Sequence, residues 1–217
     1  MAVRVESFVV GAFQENAYLL LDESTKRCVF VDPGAEGDRL VRAVRAHGAE
    51  LEAIWLTHAH IDHVGGIPAL RRAWPAAPIF VHPADRPLYD RVPQQAAYYG
   101  LPMEPLPPPD RELADGDLLQ LGDLELRALH TPGHAPGHCL LLGEGLAFAG
   151  DLIFAGSIGR TDLPLSNPVH MTDSLERILA EVPDETVLRP GHGPATSMAE
   201  ERRSNPFLTG AARVLRG

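Results

Sequence analysis

The sequence predicts an α/β fold with a site at its strand ends, and three observations carry that prediction. Short apolar runs of strand length alternate with stretches whose apolar residues recur at helical spacing. The runs end in sharp turns rich in glycine and proline. At four separate places a side chain able to bind metal follows such a run and turn. The 217 residues suffice for one large core, so a single domain spanning 1–217 is expected.

The elements follow in order. Residues 3–10, 17–21 and 28–31 read as short strands, with turns at Gly11 and over 22–25. After Asp32-Pro33-Gly34, a helix places Leu40, Val41 and Val44 on one side and ends near Gly48, a residue suited to a helix C-terminus. Ala53-Ile54-Trp55-Leu56 is the kind of run found in a strand buried on both faces. Residues 66–74 suggest a second helix and 79–81 another strand. Two hairpins are expected, one joining 118–121 to 124–129 and one joining 139–142 to 146–149. Ser166-Asn167-Pro168 is a helix start, because a capping side chain precedes a proline in the first turn. Met171, Leu175, Ile178 and Leu179 then form that helix's buried stripe. The segment 83–110 breaks the pattern. Its prolines, at 87, 93, 102, 105 and 107–109, and its Tyr89, Tyr98 and Tyr99 make it too irregular for a central strand and too apolar for a free linker. It is expected to be a surface excursion beside the site, either a substrate wall or plain cover.

The densest chemistry lies at His58-Ala59-His60-Ile61-Asp62-His63, directly after the buried strand and before Gly65-Gly66. Four ligand-type side chains in six residues exceed what local hydrogen bonding requires. A regular strand would put His63 on the face opposite His58, His60 and Asp62, whereas a loop closing onto a helix can fan all four around one point and feed two adjacent metals. Three more positions repeat the arrangement: His134 between two strand-like runs, Asp151 after Leu146-Ala147-Phe148-Ala149-Gly150, and His192 within Gly191-His192-Gly193. Taken singly, Asp151 reads equally as a turn former or helix cap and His192 as a loop histidine. His47, His82 and His170 read as structural or exposed, and His130 and His138 as hydrogen-bonding supports near the site.

Composition narrows the partners. A net charge of -10 disfavours binding to a phosphate backbone, so no nucleic acid is expected. No apolar run approaches the roughly 18 residues of a membrane span, so no membrane partner is expected. The N-terminus enters strand-like alternation without a charged leader and apolar core, and Cys28 and Cys139 sit in apolar runs without a CxxC spacing. These point to a cytoplasmic protein with no need of a disulfide.

The His58–His63 motif, His134, Asp151 and the Gly-His-Gly step, with Asp32-Pro33-Gly34 ahead of them, closely resemble the motif order of the metallo-β-lactamase superfamily over almost the whole chain. The resemblance implies a four-layer αββα sandwich of two mixed β-sheets with the site at the sheet edge. It implies that His58, His60 and His134 hold one metal, that Asp62, His63 and His192 hold a second, that Asp151 bridges both, and that Asp32 braces the first motif. Two divalent ions are expected, zinc first, with Fe2+ or Mn2+ as the alternatives. Within the superfamily the chain looks most like the glyoxalase II branch and its short bacterial relatives, on Gly156-Ser157-Ile158-Gly159-Arg160-Thr161-Asp162 and Ser204-Asn205-Pro206-Phe207. The implied reaction is attack of a metal-bridging hydroxide on a 2-hydroxyacyl thioester such as S-lactoylglutathione, with Asp62 as the catalytic proton acceptor. The Gly-Arg-Thr-Asp segment is shared with persulfide dioxygenases, and the alternative is one Fe(II) held by His58, His134 and Asp151, acting on glutathione persulfide or a similar persulfide. Glyoxalase II carries a basic helical extension for the glutathione carboxylates. Here only a short tail follows His192, with Arg202, Arg203, Arg213 and Arg216 as substitutes, so relaxed dependence on the glutathione portion is expected.

Overall fold

Alternation along the strands sorts the apolar side chains into three layers, and the architecture follows from them. The computed structural model describes residues 3–214. β1 (Arg4–Val10), β2 (Glu15–Asp22), β3 (Arg27–Val31), β4 (Glu50–Trp55), β5 (Ile79–Val81) and β6 (Arg111–Glu112) form one sheet in that order. β1, β2 and β3 pair antiparallel, and β3 to β6 run parallel. β7 (Leu118–Leu121), β8 (Leu124–His130), β9 (Cys139–Gly143) and β10 (Leu146–Gly150) form an antiparallel meander. β11 (Ile153–Phe154) and β12 (Ser157–Ile158) pair only with each other. β13 (Val187–Pro190) joins β10 in parallel and β14 (Thr196–Ser197) closes the second sheet, whose order is β14-β13-β10-β9-β8-β7. The helices are α1 (Gly37–Ala46), α2 (Ile61–Val64), α3 (Ile67–Ala73), α4 (Arg86–Asp90), α5 (Val92–Tyr99), α6 (Pro168–Glu181) and α7 (Met198–Ser204).

β2 shows the sorting. Ala17, Leu19 and Leu21 join the layer filled by Leu40 and Val44 of α1 and Ile67 and Leu70 of α3. Tyr18 and Leu20 point the other way, onto Leu126, Leu141 and Phe148 of the second sheet. The far face of that sheet, with Leu140, Ala147 and Ala149, packs on Met171, Leu175 and Ile178 of α6 and Met198 of α7. Helices, sheet, sheet, helices: the chain is a four-layer αββα sandwich of two mixed sheets, as the motif order implied. In β4 the pairing with β3 skips Glu52, and this bulge lets Leu51 and Ile54 face the helices while Ala53 and Trp55 face the partner sheet. Each fully buried large apolar side chain, Trp55 and Phe148 among them, contributes roughly 1.5–3 kcal/mol through burial.

The elements expected from the pattern are present, and the irregular excursion gains helical turns. The segment 83–110 contains a 3-10 turn over Pro83–Asp85 followed by α4 and α5. Pro87 and Pro93 lie in the first turns of those helices, where a missing N–H leaves no bond unmade. Asn167 caps α6 as expected, accepting from the N–H groups of Val169 and His170. Leu179 of its predicted stripe is only half-buried.

Candidate metal centre

The ligand-type residues follow the C-terminal ends of β4, β8, β10 and β13, so the sandwich aims them at one edge. His58 and His60 lie in the loop after β4, while Asp62 and His63 ride on α2. The last loop is stitched to the start of β2: the Asn16 N–H donates to the Gly191 carbonyl at 2.7 Å, and Asn16 Nδ2 donates to Pro190 at 3.0 Å and Gly193 at 2.9 Å. Convergence here requires a glycine. A Cβ at Gly191 would fall 2.3 Å from Asp151 Oδ1 and 2.7 Å from His63 Cε1.

All seven predicted residues come together. Donor atoms of His58, His60 and His134 lie within 4.8 Å of one another, and so do those of Asp62, His63 and His192. Asp151 stands between the groups, with Oδ2 at 3.4 Å from His134 Nε2 and 3.5 Å from His192 Nε2, and Oδ1 at 3.4 Å from His63 Nε2. Four histidines turn Nε2 inward because Nδ1 is engaged outside. His58 Nδ1 meets Thr57 Oγ1 at 3.1 Å, His63 Nδ1 meets Asp32 Oδ2 at 3.1 Å, His134 Nδ1 meets the Arg160 carbonyl at 2.9 Å, and His192 Nδ1 meets the Phe13 carbonyl at 3.1 Å. His60 presents Nδ1 instead, 2.8 Å from His134 Nε2.

Three buried atoms decide whether the residues suit metal ions. Among the described residues, His58 Nε2, His63 Nε2 and Asp151 Oδ1 have no hydrogen-bond partner, although buried polar groups are almost always paired. All three belong to this cluster, and imidazole with carboxylate is a donor set that divalent zinc, iron or manganese accepts. The residues fit. Burial holds His58 and His134 below the usual imidazole range and His60 down at about 3, which keeps them in the neutral form that ligates. For His63 burial acts in the same direction, but the Asp151 and Asp62 carboxylates outweigh it and raise the ring well above that range. His192 is raised against burial by its hydrogen bond to Asp62 and by Asp151. Both aspartates are lowered despite burial, chiefly by His63.

The supporting residues lie partly where sequence placed them. Asp32 braces the first motif as expected: Oδ1 accepts the Thr57 N–H at 2.7 Å, and Oδ2 accepts the Thr57 hydroxyl at 2.5 Å. His138 accepts the Asp151 N–H at 3.1 Å. His130 instead meets the Pro136 carbonyl at 2.9 Å and stacks on His82, away from the ligands. Asp85 escaped sequence reasoning. It is fully buried, and its carboxylate accepts the Ala59 N–H at 2.9 Å with one oxygen and the Gly137 N–H with the other. It thereby ties the His58–His60 loop to the loop carrying His134, and burial pushes its carboxyl up to about 7. A Cβ at Gly137 would sit 2.7 Å from the Asp85 backbone nitrogen, so the second loop approaches this closely only with a glycine there. Glu15, also fully buried, has neither carboxylate oxygen hydrogen-bonded among the described residues and lies 3.9 Å from His63 Nδ1; burial raises its carboxyl well above the ordinary range.

A cavity of about 930 Å³ opens over His60, Asp62, His134, Asp151 and His192. The excursion 83–110 does wall it, through Leu88, Arg91, Gln94, Gln95, Tyr98 and Tyr99. Phe13, from the β1–β2 turn, meets Tyr99 edge-on at 5.1 Å. The opposite side is held by the Ser204-Asn205-Pro206-Phe207 segment: Asn205 Nδ2 donates to the Ser157 carbonyl at 2.9 Å and to Glu201 at 2.8 Å, and Glu201 accepts the Gly156 N–H at 2.8 Å. These contacts fix β11 and β12, which supply Phe154, Ser157 and Ile158 to the wall. Two of the C-terminal arginines are otherwise committed. Arg202 pairs with Asp184 and donates to the Leu179 and Val182 carbonyls at the end of α6, and Arg203 pairs with Glu200. Arg213 is exposed, and Arg216 lies outside the described residues.

An αββα sandwich with histidine and aspartate clusters at its sheet edge defines a metal-binding scaffold of the metallo-hydrolase kind. The chain belongs to the metallo-beta-lactamase superfamily, whose family model matches residues 10–192. It is 35% identical over 209 residues to the hydroxyacylglutathione hydrolase GloC of Haemophilus influenzae, covering 95% of this chain and 98% of that one. The crystal structure of TTHA1623 in a di-iron-bound form superposes with a TM-score of 0.85 at 41% identity, covering 94% of this chain and 100% of that one. ETHE1 from Myxococcus xanthus matches with a TM-score of 0.78 at 29% identity, over 95% of this chain and 85% of its own.

Proposed function

We propose that this protein is a metal-dependent thioester hydrolase of the glyoxalase II type, acting on a 2-hydroxyacyl thioester such as S-lactoylglutathione. The observation that carries the reading is that both donor groups are complete and meet at Asp151 beneath one cavity. His58, His60 and His134 would hold one divalent ion, Asp62, His63 and His192 the other, and Asp151 would touch both, with zinc the first candidate. Two such ions supply a water of lowered pKa and a Lewis acid for the carbonyl. The chain's own groups do the rest. Asp62, lining the cavity with Oδ2 at 3.2 Å from His192 Nε2, is placed to take a proton. The aromatic walls confine the ester beside it. Water adds to the acyl carbon, the C–S bond breaks as the C–O bond forms, and the proton passes to the departing sulfur, leaving a 2-hydroxy acid and a free thiol.

Similarity to the hydroxyacylglutathione hydrolase GloC over nearly its full length supports this reading. The similarity to ETHE1 supports a second one, a persulfide dioxygenase with one iron on His58, His134 and Asp151. The di-iron-bound form of TTHA1623, 41% identical to this chain, supports the two-metal hydrolase over the single-iron reading. We infer that the protein works in the cytoplasm as one domain on a small molecule, without nucleic acid or membrane; no helix among the described residues is long and apolar enough to cross a bilayer. Elemental analysis of protein purified without chelator, paired with assays on S-lactoylglutathione and on glutathione persulfide with oxygen monitored, tests the proposal. Two metals per chain and thioester turnover are expected. A single iron even after zinc reconstitution, with oxygen uptake and no thioester turnover, would establish the dioxygenase.

A further inference from the structure

The cavity's walls are uneven in a way that specifies a substrate. Beyond the proposed metal ligands, its charged lining residues are Arg91, Arg160 and Asp162. Arg160 is consumed by a two-pronged pair with Asp162, Nε to Oδ1 at 2.6 Å and Nη2 to Oδ2 at 2.7 Å, so those two present no net charge. Arg91 has no side-chain hydrogen bond or ion pair among the described residues. Its base is nevertheless fixed. The Arg91 N–H donates to the Leu88 carbonyl at 3.1 Å, and its own carbonyl accepts from Gln94 and Gln95 at 3.0 Å each. Gln95 in turn accepts the Ile61 N–H at 3.1 Å, which ties this corner to the helix that bears Asp62 and His63. Arg91 therefore lines the cavity from a backbone position held in register with the metal centre. Much of the remaining rim is aromatic or aliphatic. Tyr98, Tyr99, Phe13 and Leu165, which line it, remain 83%, 43%, 37% and 47% exposed. Large apolar groups gathered and left open at one rim mark a surface awaiting a ligand.

We propose that the natural substrate is a thioester carrying a bulky apolar group and a single anionic group, the apolar part lying against the Phe13, Tyr98 and Tyr99 wall and the anion paired with Arg91. This rests on the hydrolase reading. A carrier with two separated carboxylates would find a free cation for only one of them. Three 2-hydroxyacyl esters test it on the metal-loaded protein: a mandeloyl thioester of 3-mercaptopropionate, with one carboxylate; the same acyl group on 2-mercaptoethanol, with none; and S-lactoylglutathione, with two. The mono-anionic ester should exceed both others in kcat/KM by about tenfold or more, and Arg91→Glu should collapse its advantage over the uncharged ester, mainly through KM, with Arg91→Lys restoring part of it. Equal kcat/KM for the charged and uncharged esters, or an advantage untouched by Arg91→Glu, would overturn the inference and leave the hydrolase standing. No turnover of any thioester by protein holding two metals would overturn both. Arg91 is exposed, and the comparison of the three esters on the unmodified protein needs no variant to fold.

Discussion

Asp85 sets the approach of the two loops that carry the all-histidine group, and it does so with an uncompensated carboxylate. In water an aspartate titrates near 3.9, whereas here burial lifts it to about 7. The folded state thus holds the proton more tightly than the unfolded chain, and this group's favourable share of stability is complete below about pH 4 and lost as pH rises through about 7. Asp85→Asn removes the titration. Thermal melts of both proteins across that window should show the stability difference shifting against the natural chain with rising pH, by up to about 4 kcal/mol in the limit; a pH-independent difference would contradict it. Asparagine also turns an NH2 toward one of two N–H donors, so the variant should bind its first metal more weakly in a chelator competition. His192→Ala tests the other half of the centre. It removes one of the three donors in the Asp62, His63 and His192 group, so metal content should fall from two toward one per chain and thioester hydrolysis by at least about tenfold. Near-normal hydrolysis would sink the two-metal assignment.

At the level of elements, α6 offers a clean measurement. Asn167→Ala deletes a cap that accepts two backbone N–H groups and should cost about 1 kcal/mol, read as a lower denaturation midpoint at unchanged slope. That cap was legible in sequence because Ser166-Asn167-Pro168 combines a short polar acceptor with a proline in the first turn. The His58–His63 motif was legible for a similar reason: ligand density after an apolar strand has few other meanings. α4 and α5 were not. Their prolines look like breakers until the helix starts are known, and both helices are too short to show a strong period. β6, β11, β12 and β14 are two-residue pairings whose signal is no longer than a dipeptide. Asp85 and Glu15 stayed hidden for a third reason. What makes them informative is burial against distant backbone or against nothing, and that exists only once the chain has folded.

For the whole molecule, metal held at the unpartnered atoms of His58, His63 and Asp151 would stabilise the folded chain, since the unfolded chain offers no preformed site. A ligand present at about 1,000 times its Kd adds about 4 kcal/mol, and a domain of this size shifts by about 2–4 °C per kcal/mol. A chelator should therefore lower Tm by on the order of 10 °C, reversed by zinc in a calorimetric scan; an unchanged Tm would mean that the centre is not loaded. The stitching of Asn16 to Gly191 and Gly193 has a consequence in time. A ribosome delivers the chain from its N-terminus, and His58, His60 and His134 all emerge before His192 does. At about 5–20 residues per second, several seconds separate the last residue of the first group from the last residue of the second. Through those seconds Asp62 and His63 stand without their third partner, and they gain it only when the loop bearing His192 docks on Asn16.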